Sequence, residues 1–206
     1  MDRDLALELV GTIRHDGAGG VADDWGDLLR TSAWIRDRAE LLAVGVEADG
    51  FAADEALRRE LVALRQAVRA LFAQAVRPSP PSPADAGRLM PADRALAALN
   101  AAARREPVIP QLEWADGEPP SVRLLSDGPD FRMRLVAALA RAAIDFLAGP
   151  ELDRLRACTA PRCVRYFVRS HGRQEWCKPS CGNRARVARH YRRRSTTAAD
   201  AEPSQE

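Results

Sequence analysis

The chain has 206 residues, of which 46% are hydrophobic and 29% charged, a balance typical of a soluble globular protein with one ordinary domain and a small one. Leu and Ala dominate its apolar residues and only 5% are aromatic, which favours helices over strands. The longest apolar stretch, 136–147, contains Arg141 and Asp145, so it is too short and too charged to span a bilayer.

The formal net charge of +2 conceals an asymmetry along the chain. Residues 151–194 carry thirteen Arg or Lys against three acids, whereas residues 1–150 have a net charge of −5 and residues 195–206 of −3. An acidic body joined to a basic end is typical of a module that binds polyanions.

The N-terminal sequence predicts a cytoplasmic protein. Residues 1–4 alternate in charge, unlike the basic start and long apolar core of a secretory signal. Thiols stay reduced in the cytoplasm, so the four clustered cysteines indicate a metal site before disulfides.

Helices are predicted for most of the first 105 residues. Thr31 or Ser32 is expected to cap a helix that carries Trp34, and Asp54 the next one. Apolar residues at spacings of three and four give that next helix a stripe, which ends before the proline-rich connector 78–83. A further helix is expected over 92–105, with Leu96 and Leu99 facing inward.

Strands are predicted only once before the cysteines, as a β-hairpin within 108–125 around the turn residues 115–118. By contrast, the glycine-containing segment 15–20 is expected to be a loop. Asp127 or Asp130 then begins a long helix. We therefore expect a mainly α-helical N-terminal domain over 1–150 and a small C-terminal unit over 151–194. Residues 195–206 are predicted to form a disordered tail.

The cysteines form two pairs of short spacing, in the order Cys158, Cys163, Cys177 and Cys181. Each pair fits the spacing at which one local turn supplies two ligands to a tetrahedral zinc ion. The segment between the pairs has too little apolar surface for a core of its own, and a structural zinc would supply the missing stability. Four thiolates also leave no open position for a catalytic water, which indicates a structural zinc ion.

Other interpretations of this cluster remain open at this stage. The cysteines could be unrelated buried residues, or they could have a redox or disulfide role. His171 or His190 could replace one sulfur ligand. Four sulfur ligands also suit an iron–sulfur cluster.

A basic helix is predicted after Cys181, reaching about residue 194 and capped by Asn183. Val187 and Tyr191, four residues apart, are expected to face inward. The arginines on its other faces suit phosphate groups, although a protein partner, the acidic body of the same chain or a membrane surface would also suit them. The candidate DNA contacts are Arg184, Arg186, Arg189, Arg192 and Arg193.

The run from Cys158 to Arg184, which ends Cys-Gly-Asn-Arg, resembles the CGNR zinc finger. In that family the finger closes a two-domain bacterial protein whose N-terminal part is the ABATE domain. We expect the finger of this chain to be treble-clef-like or ribbon-like. Four short stretches of the N-terminal part resemble the ABATE domain, and they contain Thr12, Trp34, Leu64-Arg65 and Leu99-Asn100. The resemblance implies one zinc ion at the four cysteines, DNA binding by the finger and a role in stress-related transcription regulation.

A regulator needs an input, and a helical domain with a hairpin can hold a small-molecule pocket. Candidate lining residues are Thr12, Trp34, Arg65 and Asn100, each of which also has an ordinary structural explanation as a core, ion-pair or backbone-bonding residue. No phosphate-binding, zincin or nucleophile-elbow motif is present, so we do not expect an enzyme. The alternatives are an RNA-binding or protein-interaction module using the same finger, and an enzyme with its site in the N-terminal domain. Oligomeric state is left open.

Overall fold

The computed structural model describes residues 4–17, 20–39, 50–85, 87–125 and 130–199, and of residues 193–199 the backbone only. Within these residues helices dominate, and the strands form three small antiparallel pairs. In chain order the elements are α1 (Leu5–Val10), β1 (Ile13–His15), β2 (Val21–Asp23), α2 (Leu28–Arg36), α3 (Glu55–Ala75), α4 (Ala92–Ala103), β3 (Ile109–Glu113), β4 (Ser121–Leu125), α5 (Phe131–Ala148), β5 (Leu155–Ala157), β6 (Tyr166–Val168) and α6 (Pro179–Ala199). The mainly helical fold class predicted from the sequence is confirmed.

Aspartate begins four of the helices. Asp4, Asp27, Asp54 and Asp130 precede α1, α2, α3 and α5, and each carboxylate accepts a backbone N–H of the first turn. Such a cap satisfies donors that have no partner within the helix, and a negative charge there also favours the helix dipole. The predicted cap at Asp54 is confirmed, and Asp130 caps α5.

The prediction that Thr31 or Ser32 begins α2 is wrong, because Asp27 caps that helix four residues earlier. Both hydroxyls lie inside the helix and donate to backbone carbonyls one turn back. Ser32 also accepts the N–H of Ala53, which ties α2 to the start of α3. Its hydroxyl is therefore a tertiary contact.

The core forms around α3, whose predicted apolar stripe is buried against α1, α4 and α5. Small residues allow α4 to approach closely, since Ala67, Ala70 and Ala95 form a buried cluster at that contact. Leu99 is buried as predicted, but Leu96 is 52% exposed. Ala95 and Leu99 are one helical turn apart and take the inward face, which leaves Leu96 on the flank.

The predicted hairpin is confirmed as β3 and β4, which pair antiparallel with Leu112 opposite Val122. The expectation that strands occur only there was wrong. The segment predicted as a loop at 15–20 joins β1 to β2, and His15 pairs with Val21 across it. Strands of three residues are too short to show an alternating pattern.

The C-terminal unit is joined to the N-terminal core through its own hairpin. β5 and β6 pair antiparallel, with Ala157 opposite Tyr166. Leu155, Ala157 and Tyr166 belong to the same buried cluster as the residues of α1, α3 and α5. On the other side of the hairpin, Phe167 is buried beside the cysteines. Within the described ranges, no helix is long and apolar enough to cross a membrane.

Candidate metal centre and basic helix

Two local turns bring the cysteines together. Cys158 directly follows β5, and Cys163 ends a turn in which its N–H donates to the Ala160 carbonyl at 3.0 Å. Arg162 takes a left-handed conformation there (φ 62°), which is how the chain reverses over so few residues. Cys181 lies in the first turn of α6, and Cys177 stands just before that helix. A hairpin turn and a helix start thus supply one pair each, a treble-clef-like arrangement.

The sulfur geometry fits a zinc ion. The four Sγ atoms lie within 4.8 Å of one another, with 3.7 Å between Cys163 and Cys177 and 3.5 Å between Cys177 and Cys181. Zn–S bonds of about 2.3 Å in a tetrahedron place sulfurs roughly 3.8 Å apart. A disulfide would need a separation of about 2.05 Å, and all four cysteines are free. The four cysteines can therefore bind one zinc ion.

The acid–base state of the thiols points the same way. Hydrogen bonding to Cys158 and Cys177 lowers the pKa of Cys163 to about 2, whereas its bond to Cys163 raises the pKa of Cys158 to about 11. Bonds from the neighbouring sulfurs, together with burial, also raise the pKa of Cys177. Sulfurs packed this closely can all lose their protons to water only when a cation offsets the resulting negative charges.

Histidine takes no part in this cluster of described residues. The metal-ligand atoms that converge are all sulfurs. His171 is exposed, and His190 is exposed on α6 with its ring against Tyr191. The alternative of a mixed Cys and His site is therefore not supported by the geometry.

A small apolar shell surrounds the sulfurs. Ala160 and Phe167 are buried beside the cysteines, and Trp176 packs against them. Gly182 lies directly under that indole, because a Cβ at this position would be 3.1 Å from Trp176 Cε3. The glycine of the Cys-Gly-Asn-Arg run thus lets the tryptophan cover the first turn of α6.

Arg184 lies at the metal centre itself. Its Nη2 donates to Cys181 Sγ at 3.1 Å, and its side chain is half-buried. A charged donor on a sulfur stabilises the thiolate form. The other candidate DNA contacts lie further along α6: Arg186, Arg189 and Arg192 are exposed, while the side chain of Arg193 lies outside the described residues.

Helix α6 differs from its prediction in three ways. It begins at Pro179, a residue well suited to a first helical position, so Asn183 lies inside it and accepts a hydrogen bond from Arg186. It continues to Ala199, past the predicted end at 194, because no Pro or Gly stops it. Residues 195–199 of the predicted disordered tail are therefore helical, and residues 200–206 lie outside the described residues. Val187 and Tyr191 are 56% and 66% exposed, so the expectation that they face inward was wrong.

Three of the four candidate pocket residues lie in one cluster, in which the buried Arg65 bonds Thr12 directly and reaches Trp34 only through Trp25. Arg65 donates to Thr12 Oγ1 at 2.9 Å and to both carboxylate oxygens of Asp23 at 2.6 Å. Its guanidinium lies over the ring of Trp25, which packs edge-to-face on Trp34. Burial raises the pKa of the Asp23 carboxyl. The hydrogen bonds from Arg65 and from the Trp25 N–H, together with the charges of Arg65 and Arg58, outweigh burial, so the net shift of this pKa is downward.

Asn100 does not join this cluster, since it is exposed on α4. The sequence analysis did not identify Asp23 and Trp25 as members of this cluster. The only sequence feature that marks them is their Asp-x-Trp spacing shortly before a helix. A groove of about 910 Å³ lies instead between the end of α3, the proline-rich connector and the start of α4. None of the four candidates lines it.

Comparison with known families gives two matches. Residues 3–150 match ABATE, described as "Putative stress-induced transcription regulator", and residues 154–194 match the CGNR zinc finger. No curated protein matches the chain. The four converging cysteines all fall within the second match. The chain belongs to the ABATE family and carries a CGNR zinc finger after the ABATE domain.

Proposed function

We propose that this protein is a zinc-dependent, DNA-binding transcription regulator, in which the N-terminal domain acts as sensor or scaffold. The observation that carries the proposal is the position of α6: its first turn holds Cys181, and the rest of the helix leaves the finger with arginines exposed. A helix anchored rigidly by a metal at one end can present these side chains to a phosphate backbone or a major groove.

Charge pairing with the described residues does not account for Arg186 and Arg189. In the described part of the chain, no ion pair joins Arg186 or Arg189 to a carboxylate. Both side chains are exposed, so they are accessible to an external anion. This argues against the interpretation in which the acidic body neutralises the helix.

Val187 and Tyr191 add apolar surface beside the arginines. Apolar side chains next to phosphate contacts suit the methyl group of thymine or the sugar face in a groove. The same pair on an exposed helix also suits a protein partner, which is the second candidate function. Binding through phosphate contacts weakens steeply as salt is added, whereas an apolar protein contact does not, so the salt dependence separates the two.

The proposal includes no catalytic step. Four thiolates complete the tetrahedral coordination of zinc and leave no position for a reactive water. We place the protein in the cytoplasm, where DNA is accessible and cysteines remain reduced.

Replacing Arg186 and Arg189 together by alanine is expected to weaken binding to a random-sequence duplex about 10- to 100-fold. It should also lower the salt slope of log K by about 2, because two phosphate contacts are lost. Fluorescence anisotropy across a salt series measures both quantities, and zinc content should stay unchanged.

The matched control replaces Arg94 and Arg104 by alanine, which removes the same charge from an exposed position in α4 and from the exposed C-cap of that helix. If the two double variants lose the same DNA affinity, the effect is explained by net charge alone and not by contacts of α6. Unchanged affinity of the α6 variant would exclude this helix as the contact surface. Tighter binding to structured RNA than to the duplex would favour the RNA-binding alternative.

A further inference from the structure

A second buried ion pair lies between the N-terminal core and the finger. Arg69 on α3 and Asp85, in the short turn after the proline-rich connector, are 2% and 6% exposed. The guanidinium holds the carboxylate through two bonds, Nε to Oδ1 at 2.6 Å and Nη2 to Oδ2 at 3.0 Å. Such a pair is stable out of water only when its remaining polar groups are also bonded.

The finger supplies several of those remaining bonds. The carbonyl of Val164 accepts from Arg69 Nη2 at 3.2 Å and from the Ser82 hydroxyl at 2.8 Å. The hydroxyl of Tyr166 donates to Asp85 Oδ2 at 2.7 Å and accepts the Ser82 N–H at 3.3 Å. Burial and the Asp85 carboxylate raise the pKa of Tyr166, so this phenol remains a donor.

These contacts hold the backbone immediately next to a zinc ligand. Val164 follows Cys163 directly, and the Arg165 carbonyl accepts the N–H of Cys158 at 2.9 Å. The segment 163–166 is therefore held on one side by the sulfur cluster and on the other by α3 and the connector. The ring of Tyr166 packs edge-to-face on Phe72, which extends the contact into the main core.

We propose that Arg69, Ser82 and Asp85, all in the N-terminal domain, are positioning residues of the zinc centre. They act through the Val164 carbonyl and the Tyr166 hydroxyl, which fix the turn that carries Cys163. Retention of zinc then depends on the N-terminal domain, and any change there that moves the connector alters the finger. This gives an N-terminal sensor a physical route to the basic helix.

The test measures zinc release from the full chain. Ser82→Ala removes the hydroxyl bond to the Val164 carbonyl and leaves that buried acceptor with a weaker set of donors. It is expected to increase the zinc dissociation rate about five- to tenfold when an excess of a chromophoric chelator traps the metal under reducing conditions. Tyr166→Phe keeps the ring but loses both hydroxyl bonds, so we expect a change in the same direction.

The matched control is Ser32→Ala. Ser32 is another buried serine whose hydroxyl bonds two backbone groups, but it lies within α2 and ties that helix to the start of α3 and not to the finger. It should lower the melting temperature to a similar extent and leave zinc release unchanged. Since coupling is reciprocal, removing zinc should also lower the melting temperature of the wild-type N-terminal domain more than that of Ser82→Ala.

Two results would overturn the proposal. One is a zinc dissociation rate unchanged in both Ser82→Ala and Tyr166→Phe. The other is an equal acceleration in Ser32→Ala, which would assign the effect to general loss of stability. If Ser82→Ala does not fold, Tyr166→Phe decides the question. The measurement involves no DNA, so its outcome is independent of the proposed function.

Discussion

Cys177→Ser is expected to abolish stoichiometric zinc binding and unfold the finger while most of the N-terminal helicity remains. A structural zinc contributes roughly 10–16 kcal/mol to small modules of this kind, and the apolar shell around the sulfurs is too small to replace it. Elemental analysis of purified, reduced protein measures the zinc, and far-UV circular dichroism should show a loss no larger than the 21 residues of α6.

Ser180→Ala is the control for this variant, because Ser180 is exposed one residue before Cys181 and lies outside the sulfur cluster. It should retain one zinc ion per chain. Full zinc content in Cys177→Ser would contradict the four-sulfur assignment.

Acidification should release zinc from the wild type, because protons compete with the metal for the thiolates.

Asp85→Asn is expected to destabilise the whole protein by about 3–5 kcal/mol, because it leaves the buried guanidinium of Arg69 without a counter-charge. For a chain of this size that loss lowers Tm by roughly 10 °C. Thermal unfolding followed by circular dichroism measures it. Replacing both partners, Arg69 by Met and Asp85 by Leu, should be less damaging than the single change, since no charge then remains buried.

The control is Glu60→Gln, which breaks an ion pair with Arg105 that is about 42% exposed on each side. Surface pairs of this kind contribute about 0–1 kcal/mol because water and salt screen them. Similar melting temperatures for Asp85→Asn and Glu60→Gln would show that the buried pair contributes no more to stability than an exposed one.

The sulfur cluster could be predicted because its ligand pairs are local. Cys158 with Cys163 and Cys177 with Cys181 each fit within one turn, and that spacing is visible without knowing the fold. The family resemblance then specified the zinc ion. The role of Arg184 was harder to anticipate, because an arginine three residues after a ligand looks the same whether it bonds a phosphate or a sulfur.

The buried charges could not be found in the same way. Arg65 and Arg69 lie on a helix where arginine is usually solvated, and their partners Asp23 and Asp85 are 42 and 16 residues away in the chain. Nothing local distinguishes a charge that will be enclosed from one that will face water. The network that joins the finger to α3 therefore appears only when the turn after the connector and the β5–β6 hairpin are packed together.

The sequence by itself determined the helices, the β3–β4 hairpin and the zinc ligands, because periodicity, aspartate caps and short ligand spacings are properties of neighbouring residues. Only the tertiary structure decided which polar side chains are buried and which apolar ones are exposed. Val187 and Tyr191 have helical spacing suited to a core, yet they are 56% and 66% exposed. Burial depends on which segments meet in space, and that is settled by contacts between residues far apart in the chain.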